Sequence, residues 1–421
     1  MDRDSLAFTR PTVARLCVAG LVVALLVPSG VSALTYEPIE LQPGAIDEPA
    51  NGTTVIAVQG FKGRGQNSSK KPARLVGVGP EGDLAWNYQP QTDVTWFYDV
   101  DPLEDGSLLV VGARRNGTTV FKYDPDTDER EWTERLDTDD THDVDLINGD
   151  ELLVADMRNY NETSERNEDR VFVYNRTTEE VEWEYEFERI YDRDDGGSYT
   201  GDWTHVNDID KLAEGRYMAS PRNMDEVVVI NRSTKEVELS LGTPDNHSVI
   251  YEQHNPDYLE SEDGTPTILV ADSENDRVVE YELRDGTGRN ASWERTWDVG
   301  VDGNLNWPRD ADRLPNGNTL VTDSASDRPT FADWVRDALA GTPLSEQADW
   351  FAERWAHIVP WIRPVWLSPW AFVSALGAAV VLLGWTGTEA VRRRSAIRTK
   401  LRGGYDRLRS RGDSAPADAD D

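Results

Sequence analysis

A short repeated unit constrains the fold of this chain more than any other feature of its sequence. The unit reads Asp-x-Asp followed by a Leu- and Val-rich run, and its copies are Asp99-Val100-Asp101, Asp143-Val144-Asp145, Asp208-Ile209-Asp210 and Asp310-Ala311-Asp312, with a degenerate copy at Asp257. Successive first aspartates stand 44, 65, 49 and 53 residues apart, a period typical of β-propeller blades. We therefore predict an all-β propeller, in which equivalent positions of different blades surround one channel.

Short β-rich runs separated by turn residues fill each repeat, as expected for an all-β architecture. The predicted strand sets begin near Thr53, Ser107, Glu151, Arg216, Thr267 and Asn318. Six sets predict about six blades. The last set is incomplete, so N-terminal strands are expected to help close the ring, because closure removes free sheet edges. Two insertions interrupt the pattern at 158–168 and 188–203, and we interpret the second as a solvated loop, with a lid over the channel as the alternative.

The aspartates of the repeat allow two interpretations. Paired carboxylates suggest a Ca²⁺ site, whereas an Asp in a turn commonly hydrogen-bonds its own backbone. Recurrence in most copies favours the turns, so we predict no metal site and no cofactor. The single cysteine, Cys17, excludes a disulfide within the chain and a cysteine-based metal site.

The net charge narrows the range of partners. The chain has 78 acidic and 43 basic residues and a net charge of −35 at pH 7. Such a chain would repel the phosphates of a nucleic acid, so no nucleic-acid partner is expected. A large excess of carboxylates keeps proteins soluble and monomeric and is used by halophiles. We therefore predict a monomer adapted to high salt, with an acid-rich surface for cations as the minor alternative.

Two apolar segments frame the acidic body. Residues 1–34 are predicted to be either a cleaved signal peptide or a retained membrane anchor. Residues 35–325 then form the propeller, 326–368 a Trp-rich amphipathic juxtamembrane segment, 369–388 a transmembrane helix and 389–421 a basic, then polar tail. The basic tail should be cytoplasmic by the positive-inside rule, which predicts a cell-membrane protein with an extracellular propeller.

Glycosylation acceptors agree with export of the propeller. Eight Asn-x-Ser/Thr sequons occur, at Asn51, Asn67, Asn116, Asn161, Asn175, Asn231, Asn246 and Asn290. All of them lie outside the apolar and basic ends of the chain. We therefore expect a glycoprotein.

Three of the five histidines of the chain occupy corresponding places in the repeat. His142 immediately precedes the first aspartate of its copy, whereas His205 and His254 stand three residues before theirs. Trp96 and Trp307 occupy the same minus-three place in two other copies. Imidazoles gathered at a channel can act as nucleophile, general acid–base groups or oxyanion ligands. The alternative for each histidine is a structural role, in which it bonds to a neighbouring blade. This alternative is less favoured when it must hold for all three histidines at once.

Two arginines are candidates for binding an anion. Arg222 follows an apolar strand, and Arg309 follows Trp307-Pro308. A guanidinium fork suits sulfate or phosphate oxygens, but in so acidic a domain a surface arginine also pairs with carboxylates, which is the favoured interpretation for Arg309. His247 and His357 are expected to lie outside the site, in an exposed turn and at the membrane interface respectively.

Several common catalytic motifs are absent from the sequence. It contains no phosphate-binding Gly-x-x-x-x-Gly-Lys-Ser/Thr loop and no dinucleotide fingerprint. It also lacks a Gly-x-Ser-x-Gly elbow and a His-Glu-x-x-His helix. A nucleotide-linked donor is therefore not expected.

The segments around the second and third channel histidines resemble the arylsulfotransferase family. The resemblance is specific in 203–210, 217–223, 228–234 and 253–255, and His142-Asp143-Val144-Asp145 is similar to the family's first histidine element. The general resemblance covers about residues 53–325. The C-terminal span and the acidic surface differ from soluble members, and Cys17 has no partner for the disulfide that some members contain, which suggests a membrane-anchored, halophile-type member.

The resemblance implies a sulfotransferase that uses no nucleotide donor and transfers a sulfuryl group in two steps from an aryl sulfate ester to a phenol. It implies that His254 is the nucleophile, that His205 and Arg222 bind the sulfuryl oxygens, and that His142 assists in binding or proton transfer. The alternative is a non-catalytic, membrane-anchored surface propeller that binds a glycan, a phenolic ligand or a protein. A quinoprotein-like dehydrogenase is disfavoured because no cofactor signature is recognisable.

Overall fold

A computed structural model of the chain describes residues 10–36, 52–60, 73–90, 94–114, 117–138, 140–261, 264–300, 305–324, 335–336, 338–339, 342–364 and 366–392. They belong to two compact units, Glu40–Arg328 and, separately, Met1–Ile39 with Pro329–Asp421. Within the described residues the first unit consists mainly of β-strands and the second is helical.

Antiparallel sheets follow one another along the first unit. The first sheet contains β1 (Thr54–Val58), β2 (Arg74–Val78) and β3 (Leu84–Tyr88). The second contains β4 (Trp96–Pro102), β5 (Leu108–Ala113), β6 (Thr118–Asp124) and β7 (Glu129–Leu136). The third contains β8 (Val144–Ile147), β9 (Glu151–Asp156), β12 (Arg170–Asn175) and β13 (Glu180–Glu186), with the hairpin β10 (Tyr160–Asn161) and β11 (Arg166–Asn167) inserted between β9 and β12.

Two further four-stranded sheets and one strand pair complete the unit. The fourth sheet contains β14 (Val206–Ala213), β15 (Arg216–Pro221), β16 (Glu226–Asn231) and β17 (Val237–Gly242). The fifth contains β18 (His254–Glu260), β19 (Pro266–Asp272), β20 (Arg277–Asp285) and β21 (Ser292–Val299). The strand pair is β22 (Pro308–Arg313) with β23 (Thr319–Asp323).

These sheets surround a common axis. Sheets that are consecutive in the chain are neighbours in space, since β4 contacts β1, β14 contacts β8, and β18 contacts both β14 and β22. Asp99 of β4 also interacts electrostatically with Asp312 of β22, at the other end of the unit. The prediction of an all-β propeller is therefore confirmed.

The predicted number of about six blades is wrong. Among the described residues, five sheets have three or four strands and count as blades. The set predicted to begin at Asn318 has only β22 and β23, because the described part of the chain after Asp323 contains helices and no further strand.

The Asp-x-Asp segments are themselves the innermost strands of their sheets, which the sequence analysis did not predict. In β4, β18 and β22 the register shifts just before the first aspartate, between Phe97 and Asp99 in the first case, and in β14 it shifts around Asp208, between Val206 and Ile209. Such a β-bulge re-aims the side chains next to it and is common beside functional sites. The repeated bulge separates the residues that lead into each strand from the aspartates that follow.

The repeat aspartates lie in or directly before strands and not in turns, contrary to the prediction, although Asp99 and Asp310 do accept the next backbone N–H. A carboxylate oxygen of Asp143 accepts a hydrogen bond from the backbone N–H of Ile209 in the next blade, at 2.6 Å. Asp145 accepts one from Lys211 N–H at 2.8 Å. The aspartates bond between blades because inner strands of adjacent blades run side by side around the axis, where one side chain can reach the next backbone.

The apolar core lies between adjacent sheets. One cluster joins Val171 and Tyr185 of the third sheet to Ile209 and Tyr217 of the fourth, all fully buried. Burial of each such side chain contributes roughly 1.5–3 kcal/mol. The same packing recurs between the fourth and fifth sheets, so the blades hold the channel-lining strands in fixed relative positions.

The insertion at 188–203 is solvent-exposed through most of its middle, as predicted for a solvated loop, but residues near its two ends are buried. Tyr191 and Trp203 are buried against the third and fourth sheets, and the Trp203 indole N–H donates to the Asp195 carbonyl at 3.0 Å. The insertion is therefore anchored by Tyr191 near its start and by Trp203 at its end, shortly before His205.

The second unit contains three helices within its described residues: α1 (Arg10–Leu34), α2 (Ser345–Ile362) and α3 (Pro369–Arg392). Segments Thr12–Leu34 and Pro369–Arg392 are long and apolar enough to cross a membrane. The helix predicted near 330–339 lies largely outside the described residues. The basic and polar residues after Arg392 also lie outside them.

Helices α1 and α3 pack against each other in an antiparallel pair. Ser374 Oγ donates to the Leu25 carbonyl at 2.5 Å, and Arg15 pairs with Glu389 at 3.2 Å. The two helices therefore share polar contacts along their length as well as apolar surface.

Candidate active site

The four residues predicted to carry chemistry lie at one end of the inner strands. His142 stands just before β8, His205 just before β14, and His254 is the first residue of β18, whereas Arg222 opens a single 3-10 turn after β15. The imidazoles of His142 and His205 meet edge to face, with ring centroids 5.0 Å apart. After burial and Arg309, the nearby Arg222 and His205 also lower the pKa of His254, so both lie within electrostatic range of its ring. The structure therefore brings all four together.

The two ring nitrogens of His254 have different partners. Nδ1 lies 2.7 Å from Ser273 Oγ, and Ser273 Oγ lies 2.6 Å from the Pro308 carbonyl, to which its only proton is donated. Ser273 therefore accepts the proton of His254 Nδ1–H. The lone pair of His254 is then on Nε2, which faces Arg309 Nη2 at 3.4 Å.

His254 and His142 are uncharged imidazoles in this environment. Burial, and next the Arg309 guanidinium, hold the pKa of His254 well below its ordinary value. Burial, and next His205, do the same to the pKa of His142. A neutral imidazole retains the lone pair that a nucleophile needs, so His254 Nε2 is available for bond formation at neutral pH.

His205 is held by the insertion that precedes it. Its Nδ1 lies 2.8 Å from a carboxylate oxygen of Asp202, so Nδ1 carries the proton. Its Nε2 is buried and has no hydrogen-bond partner in the described part of the chain. Burial, and next Arg222, lower the pKa of His205 to about 4, although Asp202 opposes this shift.

Two guanidinium groups approach the same space. Arg222 pairs with Glu252 through Nη2, and the Nε atoms of Arg222 and Arg309 are buried without an acceptor among the described residues. Burial, and next Arg222, lower the pKa of Arg309 to about 10, which still leaves it charged. Two neighbouring guanidinium groups that each keep a buried, unused Nε–H form a site for an anion, because a buried donor without an acceptor is costly until it is paired.

An aromatic and ionic network supports the other side of the site. Tyr98 stacks on His142 with ring centroids 3.9 Å apart, and its hydroxyl donates to Asp140 at 2.9 Å. Arg158 bridges Asp140, at 2.7 Å, and Asp202, at 3.0 Å. The network links Tyr98, which stacks on His142, to Asp202, which orients His205.

The backbone is strained at this end of the channel. His205 has a φ of +46° and Trp307 a φ of +60°, in the left-handed region that non-glycine residues rarely occupy. Such conformations cost of order 1–3 kcal/mol each and tend to cluster at functional sites. The surrounding packing holds them here, since Trp203 and Val206 beside His205 are fully buried.

Several site residues were not predicted from the sequence. Arg309 was interpreted as a surface residue pairing with carboxylates, but it lies beside His254, because β22 is an inner strand and not a loop. Tyr98, Asp202 and Ser273 were missed. Ser273 opens a 3-10 turn after β19, the same place that Arg222 occupies after β15, so alignment of the two blades is the signal that could have found it. His247 is exposed, as predicted, and stacks on Tyr251.

The sequence matches a known protein family. The profile of the family described as Arylsulfotransferase (ASST) matches residues 53–276, more than half of the chain. The chain belongs to the arylsulfotransferase family. The matched range contains His142, His205, Arg222 and His254, whereas Arg309 lies beyond it.

Solved structures with a similar backbone path have low sequence identity to this arylsulfotransferase-family protein. A protein of unknown function from Bacteroides caccae is 14% identical, with 64% of this chain and 82% of that chain covered and a TM-score of 0.41. The WD40 β-propeller domain of Doa1 is 11% identical over 60% and 69%, with a TM-score of 0.38. Virginiamycin B lyase from Staphylococcus aureus is 9% identical over 68% and 82%, with a TM-score of 0.38. No curated protein matches the sequence.

The Ser273→Ala variant tests the orientation of His254. Loss of the hydroxyl removes the acceptor of Nδ1–H, so we expect turnover of an aryl sulfate to fall by about 10- to 100-fold, the range found for residues that orient a metal-bound imidazole. The measurement is the steady-state release of 4-nitrophenol from 4-nitrophenyl sulfate, with the unfolding temperature recorded in parallel. Ser164→Ala, at an exposed hydroxyl that contacts Glu168, is the control. Equal turnover in the two variants would show that Ser273 does not orient the ring.

Proposed function

We propose that the protein transfers a sulfuryl group, without a nucleotide donor, from an aryl sulfate ester to a phenolic acceptor through a sulfohistidine on His254. The observation that carries this proposal is that a neutral, oriented imidazole lies beside two guanidinium groups that each keep an unused Nε–H donor. His254 Nε2 supplies the electron pair, and Arg222 and Arg309 supply unused donors for an anion. Membership of the arylsulfotransferase family supports the same reaction class.

In the first step His254 Nε2 attacks the sulfur of the aryl sulfate. The N–S bond forms as the S–O bond to the aryl group breaks, and the bonding pair leaves with the phenolate. The imidazole ring gains positive charge, which the hydrogen bond from Nδ1 to Ser273 spreads. Arg222 and Arg309 stabilise the negative charge on the sulfuryl oxygens, an effect that is usually the largest single contribution to catalysis.

In the second step the acceptor replaces the leaving group. A phenolate oxygen attacks the sulfur, the N–S bond breaks, and its electron pair returns to His254 Nε2. The proton lost by the acceptor phenol balances the one gained by the released phenolate. His142 and Tyr98, stacked on each other, form the aromatic wall against which a phenyl ring can pack.

His205 has a role that depends on its protonation. In the free protein its Nε2 has no proton, since Nδ1–H is directed at Asp202. A sulfuryl oxygen only accepts hydrogen bonds, so His205 can bind it only as an imidazolium. Asp202 stabilises that form, because it lies against Nδ1 and is itself held ionised: although burial raises the pKa of Asp202, hydrogen bonds from His205 and Arg158 lower it below its ordinary value.

Aryl sulfate binding should therefore tighten as the pH falls from about 7 towards 5. The pKa of His205 is about 4 in the free protein and rises when an anion occupies the site. Between these two pKa values each unit of pH strengthens binding by up to about tenfold. Calorimetry of 4-nitrophenyl sulfate binding to the His254→Ala chain, in two buffers of different protonation enthalpy, measures the proton uptake. Binding that is independent of pH, without proton uptake, would contradict this role of His205.

The central experiment traps the intermediate. The full-length chain in detergent is mixed with 4-nitrophenyl sulfate in the absence of acceptor and quenched at alkaline pH. Mass spectrometry should find a mass increase of one sulfuryl group on the peptide that contains His254, and added phenol should discharge it. Nitrophenol release without a labelled His254 peptide would favour direct transfer, and no release with any acceptor would favour a binding protein.

We also propose that the protein is a membrane-anchored, halophile-type member of its family, with a glycosylated extracellular propeller. The paired helices α1 and α3 support a retained anchor, since cleavage after α1 would strip Ser374 and Glu389 of their partners. The positive-inside rule then puts both chain ends in the cytoplasm. Membrane fractionation followed by peptide mapping should recover residues 1–34 in the mature protein, and a mature chain that begins near residue 35 would contradict this.

A further inference from the structure

A set of aspartates next to the sulfuryl site has no part in the proposed reaction. Asp99 and Asp101 of β4 and Asp143 before β8 bring one oxygen each within 4.8 Å of one another. Asp99 and Asp101 are partly exposed and Asp143 is buried. These oxygens come from two adjacent blades and face one space in the channel.

A fourth carboxylate, from a third blade, points to a missing partner in this space. Asp208 of β14 is only 6% exposed, and its Oδ2 has no hydrogen-bond partner among the described residues. Asp208 immediately precedes Ile209, whose N–H donates to Asp143 at 2.6 Å, and it interacts electrostatically with Asp143 and Asp99. A buried carboxylate oxygen without a donor costs free energy unless a cation or a proton is bound to it.

The protein itself supplies no cation here. Within the part of the chain that the structure describes, no arginine or lysine pairs with Asp99, Asp101, Asp143 or Asp208, although most other buried carboxylates of the propeller have such a partner, as Glu226 has Arg289. Apart from a hydrogen bond between Asp99 and Asp143 and the Ile209 N–H donated to Asp143, no positive charge of the described residues offsets the repulsion among the four. The donor set consists only of oxygens, which suits a hard divalent ion and not a transition metal.

We propose that Asp99, Asp101, Asp143 and Asp208 bind one divalent cation of the Ca²⁺ class inside the channel. Ca²⁺ accepts six to eight oxygens at flexible distances, so four carboxylates and channel water satisfy it, whereas Mg²⁺ demands a stricter octahedron. The ion joins three blades at their inner strands. It also lies beside the sulfuryl site, because Tyr98 and His142 immediately precede two of its ligands in the chain.

Binding to this site is separable from binding to the acidic surface. Calorimetric titration of the full-length chain with CaCl₂ in about 1 M KCl suppresses weak surface binding, since the screening length is then about 3 Å. We expect one Ca²⁺ per chain, and an unfolding temperature that rises with Ca²⁺ concentration. Terbium should bind in its place and emit when the nearby Tyr98 and Trp96 are excited.

Matched variants locate the ion. Asp101→Asn removes one ligand and should weaken Ca²⁺ binding by at least about tenfold and abolish the terbium emission, while Asp126→Asn, at an exposed turn position, makes the same charge change and should leave both unaltered. The proposal is overturned by a wild-type chain that binds no stoichiometric ion, or by equal affinities in both variants. These readouts do not depend on sulfuryl transfer, so failure of the cation proposal can be distinguished from failure of the proposed reaction.

Discussion

The His254→Ala chain should lose sulfuryl transfer, with a fall in turnover of at least about 10³-fold, because it removes the imidazole whose Nε2 lone pair is oriented by Ser273 and lies beside Arg309. Loss of a covalent nucleophile generally removes catalysis down to the contribution of binding and oxyanion stabilisation. The measurement is the rate of 4-nitrophenol release with phenol as acceptor. The same variant should give no sulfated peptide in the trapping experiment.

His247→Ala is the matched control for this variant. His247 is exposed, and its Nε2 lies 3.2 Å from Asp225, outside the set of residues that act on His254. We expect the activity of His247→Ala to remain within about twofold of the wild type, since surface substitutions have small effects. Retention of most activity in His254→Ala, or an equal loss in both variants, would show that another residue accepts the sulfuryl group.

The Arg309→Gln chain should show opposite effects on activity and stability. Arg309 is half-buried; desolvation, and next the neighbouring Arg222, lower its pKa, and its Nε has no acceptor in the described residues. Removal of this uncompensated charge relieves repulsion in the free protein, so the unfolding temperature should stay the same or rise. Turnover should fall by about 10²–10³-fold, as for the loss of one donor to a developing oxyanion.

Arg313→Gln provides the reverse pattern on the same strand. Arg313 pairs with Glu280 at 2.7 Å and lies away from His254, so its loss should lower stability slightly and leave turnover unchanged. The two variants together separate a substrate-binding arginine from a structural one. If Arg309→Gln unfolds at a lower temperature and retains its turnover, then Arg309 supports the fold and does not bind the sulfuryl group.

The outer strands of each blade were predictable from sequence, and the inner ones were not. The predicted starts near Glu151, Arg216 and Thr267 agree with the structure to within one residue, because these runs are apolar and β-rich. The inner strands alternate aspartate with apolar residues, which resembles a turn when it is read locally. The aspartates are strand residues only because the closed ring turns one strand face towards the channel and supplies backbone donors from the next blade.

The residues of the candidate site that recur at equivalent places in the repeat could be predicted from the sequence, and the others could not. His142, His205 and His254 could be found because they precede equivalent strands. Asp202 belongs to an insertion that no other blade shares, and its contact with His205 depends on how that insertion folds against the core. Ser273 acts through a hydrogen bond from a different strand. Contacts of this kind arise from packing, which the order of residues alone does not show.

The left-handed backbone at His205 and Trp307 has an evolutionary consequence. These positions hold large side chains in a conformation that glycine or asparagine would adopt at lower cost. A duplicated gene released from selection for turnover would gain stability by drifting to those residues first. Glycine at either position in a paralogue would therefore mark a propeller that has kept its architecture and lost its chemistry.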